Sequence, residues 1–171
     1  MKKQTLSDTA PQQNIPLRWT SFSWIRRTTI IEAICMLYIV LFLYTGLNKM
    51  FFFSINEILF SQSEFLRPFS SILAWGVPIA EFIVSIFLFF PRVRMIGLFA
   101  SLSLMIMFTI YIIITLLTSD DLPCSCGGIV QQLSWPQHIV FNIFFIALAI
   151  IAIVLLKKHN LVQHLKKTYL A

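Results

Sequence analysis

Charge is what this sequence most lacks. Of its 171 residues only 12% are charged, while 58% are hydrophobic. A soluble domain carries about a quarter charged and about half apolar residues. A surface without charge must face lipid, which excludes an ordinary soluble globular protein; the mean hydropathy of +0.83 agrees. Acids are scarcer than bases, with seven Asp and Glu against thirteen Lys and Arg, a formal charge of +6. The basic residues lie in short clusters beside apolar runs, so their excess reads as a topology signal and not as a nucleic-acid-binding face. Cysteine is also sparse, three in all. Two neighbouring sulfurs are too few for a structural zinc site, which takes four ligands. There is no usable internal repeat. A cleavable signal peptide is not expected either: the first apolar stretch is too long for one, follows a polar arm, and lacks a small-x-small site.

What is present is four apolar stretches, Ile30 to Leu47, Ser71 to Phe90, Ile96 to Leu117 and Ile139 to Leu156. Each is close to the roughly 20 residues that a helix needs to cross a hydrocarbon core of about 30 Å. Their β-branched and aromatic residues would favour strand in water, but in lipid each backbone must satisfy itself and helices win. The expected fold is an all-α membrane protein, a four-transmembrane-helix bundle in one domain over residues 29–157. An N-terminal arm (1–28), disordered or interfacial, precedes it, and a basic tail (158–171) follows. Between the first two helices, Ile55, Ile58, Leu59, Phe65, Leu66 and Phe69 alternate with Asn56, Glu57, Gln62, Ser63 and Glu64. That pattern suits either a short interfacial amphipathic helix, placed to cap the bundle, or a connector with anchoring aromatics.

Charge orients the bundle. Lys2, Lys3, Arg18, Arg26 and Arg27 precede helix one. Arg92 and Arg94 separate helices two and three, and Lys157, Lys158, Lys166 and Lys167 follow helix four. The other side holds Lys49 and Arg67 with Glu57, Glu64, Asp120 and Asp121. Basic loops stay in the cytoplasm, so both termini are expected inside, and the loop of residues 118–138 outside.

That loop carries Pro123-Cys124-Ser125-Cys126-Gly127-Gly128. Facing an oxidising compartment, neighbouring cysteines tend to form disulfides. A Cys124–Cys126 bridge would close a very small, strained ring, and strained bridges are the labile ones. Gly127 and Gly128 allow a tight turn and close approach of a partner. The alternatives are a static loop clip, a pair of unpaired thiols, or a soft-metal site with His138 as a third ligand. Cys35 lies between Ile34 and Met36 near the cytoplasmic end of helix one. A rise of about 1.5 Å per residue keeps it most of a membrane thickness from the loop, so it reads as an inert core residue.

His138 and Asn142, spaced i, i+4, share a face at the start of helix four. His138 is a base for thiol chemistry or an interfacial residue beside Trp135. Glu81 lies mid-membrane, three residues after Pro78, where a carboxylate must be neutral, paired or facing a cavity. Its role is functional or that of a structural bond between helices, with Tyr111 and Tyr44 as candidate partners. Glu32 sits near Arg26 and Arg27 at the membrane edge. Lys49 either snorkels to the interface or holds a thiolate or the Glu81 carboxylate, and Arg67 reads as an anchor.

Several of these residues fall into a known order. Tyr44-Thr45-Gly46-Leu47-Asn48-Lys49 resembles the Gly-x-x-Lys signature of DoxX-like proteins. Trp75-Gly76-Val77-Pro78-Ile79-Ala80-Glu81 resembles their Pro-x-x-Glu, and Leu104 to Tyr111 resembles their third-helix pattern. Pro123 to Gly128, followed by Trp135, His138 and Asn142, resembles the MauE branch of methylamine utilisation; the similarity covers about residues 28–157. The resemblance implies a four-helix protein of the bacterial inner (cytoplasmic) membrane, linked to periplasmic redox maturation beside thioredoxin-like partners. It also implies an association with methylamine dehydrogenase, whose small subunit needs many disulfides; nothing in this chain identifies that client.

The leading functional expectation is thiol–disulfide exchange by Cys124 and Cys126 with a cysteine-containing periplasmic partner. His138 assists proton transfer, and Glu81, Lys49, Asn142 and Tyr111 support the site. A net oxidase needs an electron sink, for which a quinone in the bundle is the candidate, but the chain has one cysteine pair plus the distant Cys35. The rival expectations are a non-enzymatic scaffold with a structural disulfide, and soft-metal handling by Cys124, Cys126 and His138.

Overall fold

The structure is a computed structural model that describes residues 17–62, 66–118 and 135–169. Within these, side chains are described for 28–61, 66–117, 137–163, 165 and 168. Cys124 and Cys126 lie outside the described residues, as does most of the loop that holds them. Five α-helices are present: α1 (Leu17–Phe51), α2 (Phe53–Gln62), α3 (Ser70–Phe89), α4 (Arg94–Thr118) and α5 (Trp135–Tyr169). A 3-10 turn at Arg67–Phe69 leads into α3. Among the described residues there is no strand.

Four segments are long and apolar enough to cross a membrane: Thr28–Phe51, Arg67–Phe89, Arg94–Leu117 and Gln137–Gln163. Each overlaps one of the four apolar stretches. Helix and apolar stretch differ in length, however, because α1 and α5 have 35 residues each. At about 1.5 Å per residue each is roughly 50 Å long, well beyond the hydrocarbon core. Hydropathy marks the part of a helix that touches lipid, and the polar ends continue the same hydrogen-bond ladder into headgroups and water.

The four long helices pack in chain order around one axis. α1 packs against α3, α3 against α4, α4 against α5, and α5 closes the ring on α1. Consecutive spans alternate in direction, so α1 and α5 run antiparallel. The core between them comprises Ile31, Ile34, Cys35, Tyr38, Phe42, Val84, Leu88, Leu98, Met105, Phe145, Ala149, Ala152 and Ile153. Large apolar side chains such as Val40, Ile72, Met107 and Val154 point outwards and are exposed, as lipid-facing residues should be. The buried Tyr38 fixes the α1–α5 register: its hydroxyl donates to the Phe145 carbonyl at 2.5 Å, and its ring meets the Phe145 ring edge-on.

Polar side chains within the spans mostly turn back onto their own helix. Ser85 donates to the Glu81 carbonyl, Ser101 to Gly97, Thr109 to Met105 and Thr45 to Leu41, each one turn back. This hides a hydroxyl from lipid at little expense. Between α3 and α4 the chain reverses in four residues, and Arg94 Nε donates to the Leu88 carbonyl at the end of α3. Gly97 lets the two backbones touch there. A Cβ at that position would lie 2.9 Å from the Leu88 amide nitrogen.

α2 covers the end of the bundle where α1 finishes and α5 starts. Phe53 stacks on Trp75 of α3, and Phe60 on Tyr111 of α4. The buried Asn56 donates to the carbonyls of Lys49 and Phe52, the last turn of α1 and its continuation. The alternation of polar and apolar residues in this stretch therefore corresponds to a short helix that caps the bundle.

Candidate functional site

The site sits under α2 and is built around one ammonium group. Lys49, on the last turn of α1, extends inwards, and its Nζ lies 2.5 Å from Oε1 of Glu81 on α3. Glu81 is completely buried and the Lys49 side chain is 17% exposed. The same Nζ stands 4.9 Å from the centre of the Phe108 ring on α4, within reach of a cation–π attraction. One cation thus meets a group from two other spans, α3 and α4, while Asn56 of α2 holds its backbone carbonyl.

Local sequence explains the geometry. Gly46 is one helical turn before Lys49, and a Cβ there would lie 3.3 Å from Glu81 Oε2 and 3.3 Å from the Phe82 ring. The glycine makes room for the carboxylate, and the lysine one turn later reaches back over it. On α3, Pro78 is buried three residues before Glu81. It cannot supply the N–H that the Ala74 carbonyl would otherwise receive, so the polar break in the ladder and the carboxylate occupy neighbouring turns. A charged side chain costs about 2.5–3.5 kcal/mol at the centre of a membrane on insertion scales. Pairing with Lys49 is what allows Glu81 to be fully buried.

Depth can be read from the Tyr38–Phe145 contact. Thr45 is seven residues from Tyr38 along α1, and His138 is seven residues from Phe145 along the antiparallel α5. Both therefore lie about 10 Å nearer the α2 end. Gly46 and Glu81 touch at that same level. Glu81 and His138 consequently lie at about the same depth in the bundle, and Asn142 lies one turn deeper on the His138 face.

Unlike the serines and threonines of the spans, this layer leaves polar atoms open. Asn48 Oδ1, His138 Nδ1 and Asn142 Nδ2 are buried and have no hydrogen-bond partner among the described residues, and Glu81 Oε2 has no partner within hydrogen-bond geometry, although the Thr45 side chain stands near the carboxylate. Asn142 is buried to the same degree as the core. Buried polar atoms are almost always paired with protein or ordered water. Among the described residues no group of three or more His, Cys, Asp or Glu is arranged to hold a metal ion.

Residues 27–155 match the family described as Methylamine utilisation protein MauE. The chain belongs to the MauE family. No match was found among curated proteins or among solved structures. With four membrane-length apolar helices, this MauE protein is a multi-pass membrane protein, and its family is consistent with a redox-associated role in the membrane.

Of the residues singled out by sequence, Lys49 and Glu81 meet directly, and His138 and Asn142 lie on the neighbouring helix of the same end. Cys124 and Cys126 lie outside the described residues; they belong to the segment that leaves α4 at Thr118 and enters α5 three residues before His138. Tyr111 packs its ring on Phe60, while the Glu81 oxygen that is bonded has Lys49 as its partner. Tyr44 is partly exposed, and Cys35 is buried in the core as a free thiol. Sequence reasoning passed over Phe108, Asn56 and Asn48. Asn56 is one of several polar residues in the alternating pattern of α2, and nothing in the pattern singles it out. Phe108 is one of 17 phenylalanines, and nothing in its sequence setting sets it apart.

Proposed function

We propose that this MauE-family protein exchanges disulfides with cysteine-containing proteins on the periplasmic side of the bacterial inner membrane, with both its own termini in the cytoplasm. The reactive pair is Cys124 and Cys126. As a disulfide it accepts a client thiolate: a bond forms between the client sulfur and one cysteine as the Cys124–Cys126 bond breaks. A second client thiol then displaces that cysteine, leaving the client oxidised by two electrons and the pair reduced. A lipid-soluble quinone, reduced to the quinol, is the class of acceptor that would restore the disulfide.

The observation that supports this reading is the buried Lys49–Glu81 pair, with the unpaired, buried His138 Nδ1 at about the same depth, at the end of the bundle where α4 finishes and α5 starts. A purely structural bundle gains nothing from keeping unpaired polar atoms there, whereas thiol exchange needs a nearby proton carrier and a positive charge. The decisive comparison is wild type against the double variant Cys124→Ser/Cys126→Ser. Assembly is followed by helix content and membrane insertion, and exchange by the thiol content of periplasmic proteins. We expect normal assembly with an increased fraction of reduced periplasmic thiols. In single Cys124→Ser or Cys126→Ser variants the remaining thiolate can attack a disulfide already formed in a client, breaking that bond, and should be trapped as a reducible mixed disulfide. Unchanged periplasmic thiols in the double variant would overturn the exchange reading and leave the scaffold and soft-metal readings.

A further inference from the structure

α5 does not stop where its apolar run stops. The run ends at Leu156, and the helix continues to Tyr169, about 20 Å further at 1.5 Å per residue. This end of the helix also lies beyond the residues that match the family, 27–155. We propose that it recognises lipid: the stripe formed by Lys158, Leu161, Val162 and Leu165 docks on an anionic phospholipid leaflet. The lysine meets headgroup phosphate, and the aliphatic side chains meet the boundary with the acyl chains.

Three observations carry this. First, the four residues are spaced i, i+3, i+4, i+7, so they share one face of the helix, and all four are exposed. Asn160 and Gln163 occupy the opposite side. Second, the stripe continues one that already meets lipid. Val154 and Ile151, four and seven residues before Lys158, are exposed on the same face within the membrane-length segment. A face that touches acyl chains as far as Val154 thus leads on to Leu161 and Leu165, with a lysine between. Third, the positive charge has no counterpart within this part of the chain. Lys157 and Lys158 are exposed, and among the described residues neither joins an ion pair. From Leu122 to Ala171 the sequence holds no Asp or Glu, against Lys157, Lys158, Lys166 and Lys167.

A stripe that offers a cation and aliphatic side chains together, at the edge of the hydrocarbon core, is complementary to a surface that offers anions and hydrocarbon together. An anionic leaflet is such a surface. Continuity with the lipid-facing stripe favours it over a soluble acidic protein. Transmembrane helices lean by about 20° on average, and a leaning helix lowers one side onto the leaflet as it emerges. Docking of this kind is non-covalent and needs no cysteine, so it stands apart from the exchange reading. Under the topology proposed above, the leaflet is the cytoplasmic one.

The test uses the full chain with its three native cysteines replaced. One of Leu161→Cys, Leu165→Cys, Asn160→Cys or Gln163→Cys is added and labelled with an environment-sensitive nitrobenzoxadiazole probe. Helix content should match wild type in each. The proteins are reconstituted in vesicles of phosphatidylcholine alone, or with phosphatidylglycerol in both leaflets, which makes the result independent of orientation. In the anionic vesicles the probes at Leu161→Cys and Leu165→Cys should shift to the blue. Those at Asn160→Cys and Gln163→Cys should keep the emission of a probe in water. Salt at about 1 M, where the Debye length falls to about 3 Å, should reverse the shift. Lys157→Gln and Lys158→Gln should each lower the docked-to-undocked ratio about fivefold, and Lys158→Arg should preserve it. The same emission in both kinds of vesicle overturns the inference, as does a shift that salt leaves in place. An equal shift at all four positions also overturns it, because no face is then selected. A shift produced by polyglutamate and not by phosphatidylglycerol would give the stripe to an acidic protein instead.

Discussion

At the scale of single residues, the ion pair between Lys49 and Glu81 dominates. Breaking a buried pair from one side costs about 3–5 kcal/mol because the surviving charge stays buried, whereas replacing both partners by apolar groups is often neutral or better. Lys49→Met and Glu81→Leu should each lower the unfolding midpoint in detergent, while the double variant should recover most of the loss. Additive losses in that double-mutant cycle would mean that the two side chains do not support one another. Tyr38→Phe offers a second, smaller measurement. It removes one buried hydrogen bond to the Phe145 carbonyl, worth about 1 kcal/mol, and leaves the ring contact in place. These residues differ in how readable they were. A carboxylate in the middle of an apolar stretch is conspicuous in any sequence, and so is a lysine at the far side of a positive-inside topology. That they are each other's partner depends on the register of two helices, which composition does not encode. Tyr111 lies on α4 at the same end of the bundle, where its ring packs against Phe60 of α2.

At the scale of helices, existence was legible and length was not. The four apolar stretches each correspond to a helix, yet α1 begins at Leu17 and α5 ends at Tyr169, because helical hydrogen bonding continues where hydropathy has already fallen. Glycines tell most about how the helices fit, since their effect depends on what a side chain would meet. At Gly97 a Cβ would press on the Leu88 backbone nitrogen at 2.9 Å, whereas at Gly76 nothing lies within 4 Å. Gly97→Ala should therefore destabilise by about 1–3 kcal/mol, as overpacking does. Gly76→Ala should stabilise by roughly 0.5–1 kcal/mol through helix propensity alone. Gly46→Ala falls between them, with contacts at 3.3 Å to Glu81 Oε2 and the Phe82 ring. Thermal unfolding of the three variants in one detergent would rank them. Equal effects at Gly97 and Gly76 would contradict the close approach of α3 and α4.

At the scale of the whole molecule, orientation decides whether the proposed chemistry is possible, because a strained Cys-x-Cys disulfide persists only in an oxidising compartment. The basic residues supply the argument. Arg92 and Arg94 lie in and just after the α3–α4 turn, and Lys157 and Lys158 near the far end of the fourth span. The fold places both groups at the end opposite α2. Short basic loops are retained in the cytoplasm, so α2 and the mouth of the Lys49–Glu81 site should face the periplasm. Single cysteines placed in a protein whose three native cysteines have been replaced would report this directly. Ser54 on α2, Arg92 in the turn and Lys158 on α5 are all exposed, so substitution there disturbs no packing. A membrane-impermeant maleimide applied to intact spheroplasts should label Ser54→Cys. It should label Arg92→Cys and Lys158→Cys only after permeabilisation. The reverse pattern would put the cysteine segment in the reducing cytoplasm, where a resting disulfide and an exchange role both become untenable. A separate Cys124→Ser/Cys126→Ser protein that keeps native Cys35 provides the control. Cys35 is buried in the core about 21 Å along α1 from Lys49, at 1.5 Å per residue, and should stay unlabelled from either side until the bundle unfolds.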